Sequence, residues 1–227
     1  MTRKPTLLST VVLIAIGFVS SAHSQTSPAF TTEEREAIYT TTIDKRTRAI
    51  TELLSLTDAT KSNAVHLTIM SQYRALRARD AAVDELVRAL AKDMPGVESN
   101  RVAMVQLLSR RLHSEFLAKL ADNLSPAQID IVKDRMTYGR LKLNYDVYCQ
   151  IVPGLTDKEK TMILESLRLA REEAMDGGSA DEKAAIFEKY KVQINTRLAE
   201  GGYDIAKATK EWEAKQAAAK PASTDKQ

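Results

Sequence analysis

The chain has 227 residues, with 33 Lys and Arg against 30 Asp and Glu, and the two signs are interleaved along it. No concentrated basic face is available to neutralise a run of phosphates, which argues against a nucleic-acid partner. A single cysteine, Cys149, rules out an intrachain disulfide, and a 44% hydrophobic chain of this length can fill one core without covalent staples.

Residues 1–24 read as an export signal. Arg3 and Lys4 open it, Leu7 to Val19 form an apolar run broken only by Ser9, Thr10 and Gly17, and Ala22-His23-Ser24 offers small residues for cleavage near Ser24. The run is about 13 residues, short of the ~20 that a membrane-spanning helix needs. Cleavage removes Arg3 and Lys4 and no acid, leaving 31 basic against 30 acidic residues. A nearly neutral protein, periplasmic or secreted and without stable membrane insertion, is expected.

A flexible linker, residues 25–30, leads into a helical domain over 31–204. Glycine and proline punctuate that domain at Pro95-Gly96, Pro126, Gly139, Pro153-Gly154, Gly177-Gly178 and Gly201-Gly202. Capping-box spacing recurs at Thr31/Glu34, Ser125/Gln128, Thr156/Glu159 and Ser179/Glu182. Leu56, Leu124 and Leu155 each precede a Thr or Ser cap, where a leucine can staple onto the first turn. These signals predict helices over Thr32–Ser55, Asp58–Lys92, Glu98–Asn123, Pro126–Tyr138, Asp157–Asp176 and Ala180–Glu200. The fold class is therefore all-α, a bundle of about six helices.

Within the second helix Ile69, Tyr73, Leu76, Val83, Val87 and Leu90 follow three-and-four spacing, and Asp80 falls in the slot between Leu76 and Val83. A buried carboxylate there would need a partner, with Arg77 and Arg79 the nearest. Around Gly139 the pattern is ambiguous: Leu141, Leu143, Tyr145 and Val147 alternate, while Leu141, Tyr145, Tyr148 and Val152 fit a helix. An irregular connection followed by a short helix from Tyr145 to Val152 is predicted. Residues 205–227 read as a charged, partly disordered tail whose run through Trp212 can form a fraying last helix.

Catalytic and metal signatures are sparse. Past the signal only His66 and His113 remain, without zinc-ligand spacing, and there is no phosphate loop, nucleophile elbow or dinucleotide fingerprint. No catalytic residue, metal ligand or cofactor is assigned. Cys149, after Tyr148 in an apolar stretch, reads as a small hydrophobe. Aromatic side chains concentrate in the second half, at Tyr138, Tyr145, Tyr148, Phe187, Tyr190, Tyr203 and Trp212, interleaved with Arg171, Glu172, Asn195 and Asp204. Flat rings beside directed donors and acceptors suit a pyranose, with its apolar C–H face and polar rim.

The blocks Met136-Thr137-Tyr138-Gly139, Ala170-Arg171-Glu172-Glu173-Ala174-Met175-Asp176, Gly178-Ser179, Glu182-Lys183, Phe187 with Lys189-Tyr190-Lys191, Ile194-Asn195 and Gly202-Tyr203-Asp204 resemble, in that order, a family of exported bacterial helical proteins. That family is catalogued as a domain of unknown function and carries a sugar-binding label. The resemblance spans about Leu56 to Asp204 and departs after Asn195, where Thr196 and Arg197 replace a second asparagine and an aromatic residue. It implies export, an all-helical fold and a carbohydrate or glycan ligand, and supplies no catalytic residue. Tyr138, Arg171, Tyr190, Asn195 and Tyr203 are the ligand-binding candidates, the tyrosines stacking on the ring and Arg171 and Asn195 fixing hydroxyls. Two other readings stay open: a periplasmic helical chaperone or stress-adaptor that holds unfolded or helical partners, and a polysaccharide-acting enzyme using paired carboxylates such as Glu172 and Asp204.

Overall fold

A computed structural model describes residues 30–219; the expected signal peptide and the end of the expected tail lie outside them. Eight α-helices and no strand occur among the described residues: α1 Thr32–Thr51, α2 Ala59–Leu90, α3 Arg101–Ala121, α4 Pro126–Met136, α5 Arg140–Ile151, α6 Asp157–Met175, α7 Ala180–Glu200 and α8 Ile205–Ala219. The expected all-α class stands, and the count of about six is corrected to eight. Among these residues no helix is long and apolar enough to cross a membrane.

The caps explain most of the boundaries. Thr31, Ser125 and Thr156 each accept the N–H of the residue three ahead, while Glu34, Gln128 and Glu159 return to the cap N–H. Ser179 accepts from Glu182 N–H, but the Glu182 carboxylate turns to Gly178 N–H at 2.7 Å, so this box is only half closed. At α2 the cap is Asp58 instead of Thr57, because its Oδ1 takes both Thr60 and Lys61 N–H groups.

One additional helix comes from α5. Gly139 does break the chain, yet its left-handed backbone (φ 65°) starts a helix at once, and no irregular connection follows. The helical alternative of the ambiguous pattern wins because Leu141, Tyr145 and Tyr148 all pack on one core. The other additional helix is α8, over residues 205–219, which sets Ile205 and Ala208 against that same core.

Two cores share α6. Ile50, Leu54, Val65, Ile69, Phe116, Leu120, Val132 and Met136 gather the first four helices around Met175 at the end of α6. Tyr148, Phe187, Ile194 and Leu198 close on Ile163, Leu167, Ala170 and Ala174 of the same helix. A smaller cluster, Val83, Val87 and Val97, holds the far end of the α2–α3 pair together.

In α2 the seam slot between Leu76 and Val83 belongs to Arg79, which is 5% exposed, and not to Asp80. Both residues satisfy three-and-four spacing. Arg79 goes inward because its guanidinium finds Ser109 Oγ at 2.7 Å and the neighbouring Asp80 carboxylate at 2.7 and 3.0 Å. Buried charge is thereby compensated within one turn.

Candidate functional site

The end of α4 makes the most informative local geometry. Gly139 N–H donates to Asp134 C=O at 2.7 Å and Tyr138 N–H to Arg135 C=O at 3.2 Å, the paired bonds of a Schellman motif. In that motif the residue directly after the C-cap is left-handed and is usually glycine. Here it is Tyr138, at φ 60°, with the glycine one position late. For a bulky side chain this backbone costs about 1–2 kcal/mol, the kind of strain that clusters where a side chain has to be aimed.

The Tyr138 side chain lines a cavity of about 270 Å³ together with Tyr39 of α1 and Tyr73 of α2. Ile43 and Leu76 give it an apolar floor, and the Gly177–Ala180 turn before and into α7 forms the opposite wall. Tyr39 is fixed twice: its hydroxyl donates to Tyr73 C=O at 2.8 Å, and the Arg77 guanidinium stacks 4.1 Å from its ring centroid while pairing with Glu36 at 2.8 Å. Burial pushes the Tyr73 phenol up to about 12, with Arg46 opposing it, so the hydroxyl is a neutral donor and acceptor at physiological pH.

Among the described residues three cations, Arg46, Arg77 and Lys183, line this cavity, and no carboxylate does. Lys183 is 3% exposed and donates to Ala174 and Met175 C=O at 2.9 and 3.1 Å, capping the end of α6. Burial pulls its ammonium down to about 8.

A larger cleft, about 840 Å³, separates α3 from α6 and α7. Most of its charged groups are spent on one another, although the Arg110 side chain makes neither a hydrogen bond nor an ion pair among the described residues. His113 sits 3.2 Å from Asp176 and 3.5 Å from Glu172, Glu172 takes Lys133 at 2.8 Å, and Glu173 takes Lys189 at 3.0 Å. Hydrogen bonds to Asp176 and Glu172 raise His113 to about 9 against the effect of burial, so it is an imidazolium at neutral pH and unsuited to act as a base. Burial alone would raise Glu172, but His113, Lys133 and Arg171 outweigh it and hold the carboxyl near 2. Among the described residues no Tyr, Phe or Trp lines this cleft. Among the described residues no grouping of His, Cys, Asp and Glu is arranged to hold a metal ion.

The five sequence candidates do not share one hollow. Tyr138 alone lines the tyrosine cavity, and none of the five lines the larger cleft. Arg171 is 7% exposed and clamps α6 to α4 through Asp130 at 2.6 Å and Asp134 at 2.7 Å, with its Nε left without a partner. Asn195 accepts from the Tyr148 hydroxyl at 2.7 Å, tying α7 to α5. Tyr190 donates to Glu173 at 2.9 Å, and Tyr203 to Glu159 at 2.6 Å and to Gly154 C=O at 3.1 Å. As for the two carboxylates named above, Asp204 caps the start of α8 by accepting Lys207 N–H at 2.9 Å, while Glu172 stays in its ion pairs on α6. The residues that sequence reasoning passed over are Tyr39, Tyr73, Arg46 and Lys183. Three of them lie in the aromatic-poor first half, and only the α1–α2 pairing brings them to Tyr138. The readable hint was Tyr138 itself, a bulky residue immediately before the glycine that a helix end favours.

No curated protein matches the chain. The family described as "Protein of unknown function (DUF3826)" matches residues 40–218, and the chain belongs to that family.

Proposed function

We propose that the protein is exported and, without catalysing a reaction, binds a carbohydrate through the cavity walled by Tyr39, Tyr73 and Tyr138. The observation that carries this reading is the convergence of three tyrosines from three separate segments, one of them kept at a strained backbone angle. Rings of this kind stack on the C–H face of a sugar, and the phenol groups beside them address its hydroxyls. A volume of about 270 Å³ lies just under the ~300 Å³ at which pockets for drug-sized ligands begin, which limits the deep part of the site to one sugar ring. The larger cleft has no Tyr, Phe or Trp among its described lining residues to serve as a platform, and its acids are already paired.

Export rests on the features of residues 1–24, and a protein recovered outside the cytoplasm with an N-terminus near Gln25 is the expected outcome. Binding is tested by titrating the protein with a panel of mono- and oligosaccharides at millimolar concentration. Saturable heat and a tyrosine-fluorescence change are expected, both abolished by Tyr73→Ala. A flat response across the panel overturns the reading.

A further inference from the structure

The tyrosine cavity has a charge balance that a neutral sugar would leave unused. Its lining carries Arg46, Arg77 and Lys183 and no Asp or Glu. Arg77 is already committed to Glu36 and to the Tyr39 ring. Lys183 spends two of its three N–H donors on the Ala174 and Met175 carbonyls. Arg46 is exposed, and among the described residues it makes neither a side-chain hydrogen bond nor an ion pair. The acids around the lining belong to other attachments: Asp80 to Arg79, Glu182 to Gly178 N–H and Arg101, and Asp176, the acid that acts most on Lys183, to His113. Two positive groups therefore flank an aromatic-walled hollow with no internal counter-charge.

Resting on the carbohydrate reading above, we infer that the occupant is an acidic sugar, a hexuronate whose ring packs against Tyr39, Tyr73 and Tyr138 and whose carboxylate is taken by Arg46 and Lys183. A guanidinium matches the two oxygens of a carboxylate with parallel N–H donors, and an ammonium adds a point charge, whereas a neutral hydroxymethyl group would leave both unpaired. A buried ammonium held down to about 8 by desolvation also gains from a neighbouring negative charge, which restores its protonated form. The aromatic walls separate this ligand from a simple anion: a phosphate or an acetate would meet the cations but leave the three rings uncovered.

The test compares galacturonate and glucuronate with galactose, glucose and acetate in calorimetric titrations of the protein. The uronates are expected to bind about tenfold tighter or more than their neutral counterparts, the scale of a hydrogen bond to a charged group. Arg46→Gln, a change at an exposed position, is expected to remove most of that preference and to leave the weaker neutral-sugar affinity as it was. Lys183→Met should act in the same direction, and Arg46→Gln keeps the comparison decisive if the lysine variant fails to fold. Equal binding of acidic and neutral sugars, or a loss in Arg46→Gln that is the same for both, overturns the inference and leaves the carbohydrate reading intact. Acetate binding as tight as uronate binding overturns it in favour of a simple anion site. Absence of binding by any sugar overturns the inference together with the reading on which it rests.

Discussion

Asp134 joins Arg171 and the Tyr138 turn: its carboxylate takes the Arg171 guanidinium at 2.7 Å, while its backbone carbonyl takes Gly139 N–H at 2.7 Å. The arginine is thus a brace beneath the turn that carries Tyr138, one residue removed from the cavity and not in it. Arg171→Met is expected to cost about 1–3 kcal/mol, the range for breaking a partly buried charged hydrogen-bond set whose acids can still reach water. Urea denaturation reads the loss. A stability change without any change in sugar affinity, measured where the variant remains folded, would separate bracing from ligand contact.

Tyr138 should behave in the opposite way. Replacing it with glycine relieves the left-handed backbone, so Tyr138→Gly is expected to raise stability by about 1 kcal/mol while removing ligand binding. Tyr138→Phe keeps the ring and the strain, and should retain most of the affinity. A glycine variant that is both more stable and fully competent to bind would show that the tyrosine is not placed for a ligand.

The His113, Glu172 and Asp176 group gives stability a pH window. His113 is raised from 6.5 to about 9, so its contribution is complete below about pH 6.5 and disappears as pH climbs through 9. Glu172 is lowered from 4.5 to about 2, so its contribution is complete above about pH 4.5 and disappears as pH falls toward 2. Both act together between about pH 4.5 and 6.5. With the partial exposure of these groups allowed for, the wild type should exceed His113→Gln by about 1–2 kcal/mol at pH 6, a margin that shrinks from about pH 6.5 and is gone above about pH 9. Thermal unfolding of the two proteins from pH 4 to 10 checks it. A pH-independent margin would mean that the imidazole acts by packing alone.

Gly178 is required for space. A Cβ there would meet the Asp80 carboxylate, which is itself pinned by buried Arg79 and has no freedom to withdraw. Gly178→Ala is expected to cost about 1–3 kcal/mol in denaturant unfolding, as overpacking at a rigid contact does. Gly154→Ala, where nothing lies within 4 Å of the added carbon, should be near neutral and serves as the control.

Much of the fold was legible because its boundaries are written in short-range chemistry. Thr31 with Glu34 and Ser125 with Gln128 decide helix starts within four residues. Gly139 was legible as a break but not as a start, since a left-handed residue can end one helix and launch another without a linker, and only packing of Tyr145 and Tyr148 decides. Arg79 and Asp80 illustrate a tie: both fit the α2 seam, and Ser109, thirty residues away, breaks it. The site was harder for a related reason. Tyr138 and Arg171 are chemically suited to a sugar, yet the arginine is consumed by Asp130 and Asp134, and the partners of Tyr138 arrive from α1 and α2. Aromatic density along the chain marked a core, where Tyr145, Tyr148, Phe187, Tyr190 and Tyr203 meet, and not the cavity.

Because α6 supplies Met175 to one core and Ile163, Leu167 and Ala170 to the other, the α1–α4 half does not own a complete interior, whereas α5–α8 carry the second core between them. Loss of that helix would strip both at once. Unfolding of the whole chain should run as a single cooperative transition by every probe, while a chain divided between α4 and α5 should give a C-terminal fragment that keeps helix, its core being whole, and an N-terminal fragment that gains helix on mixing.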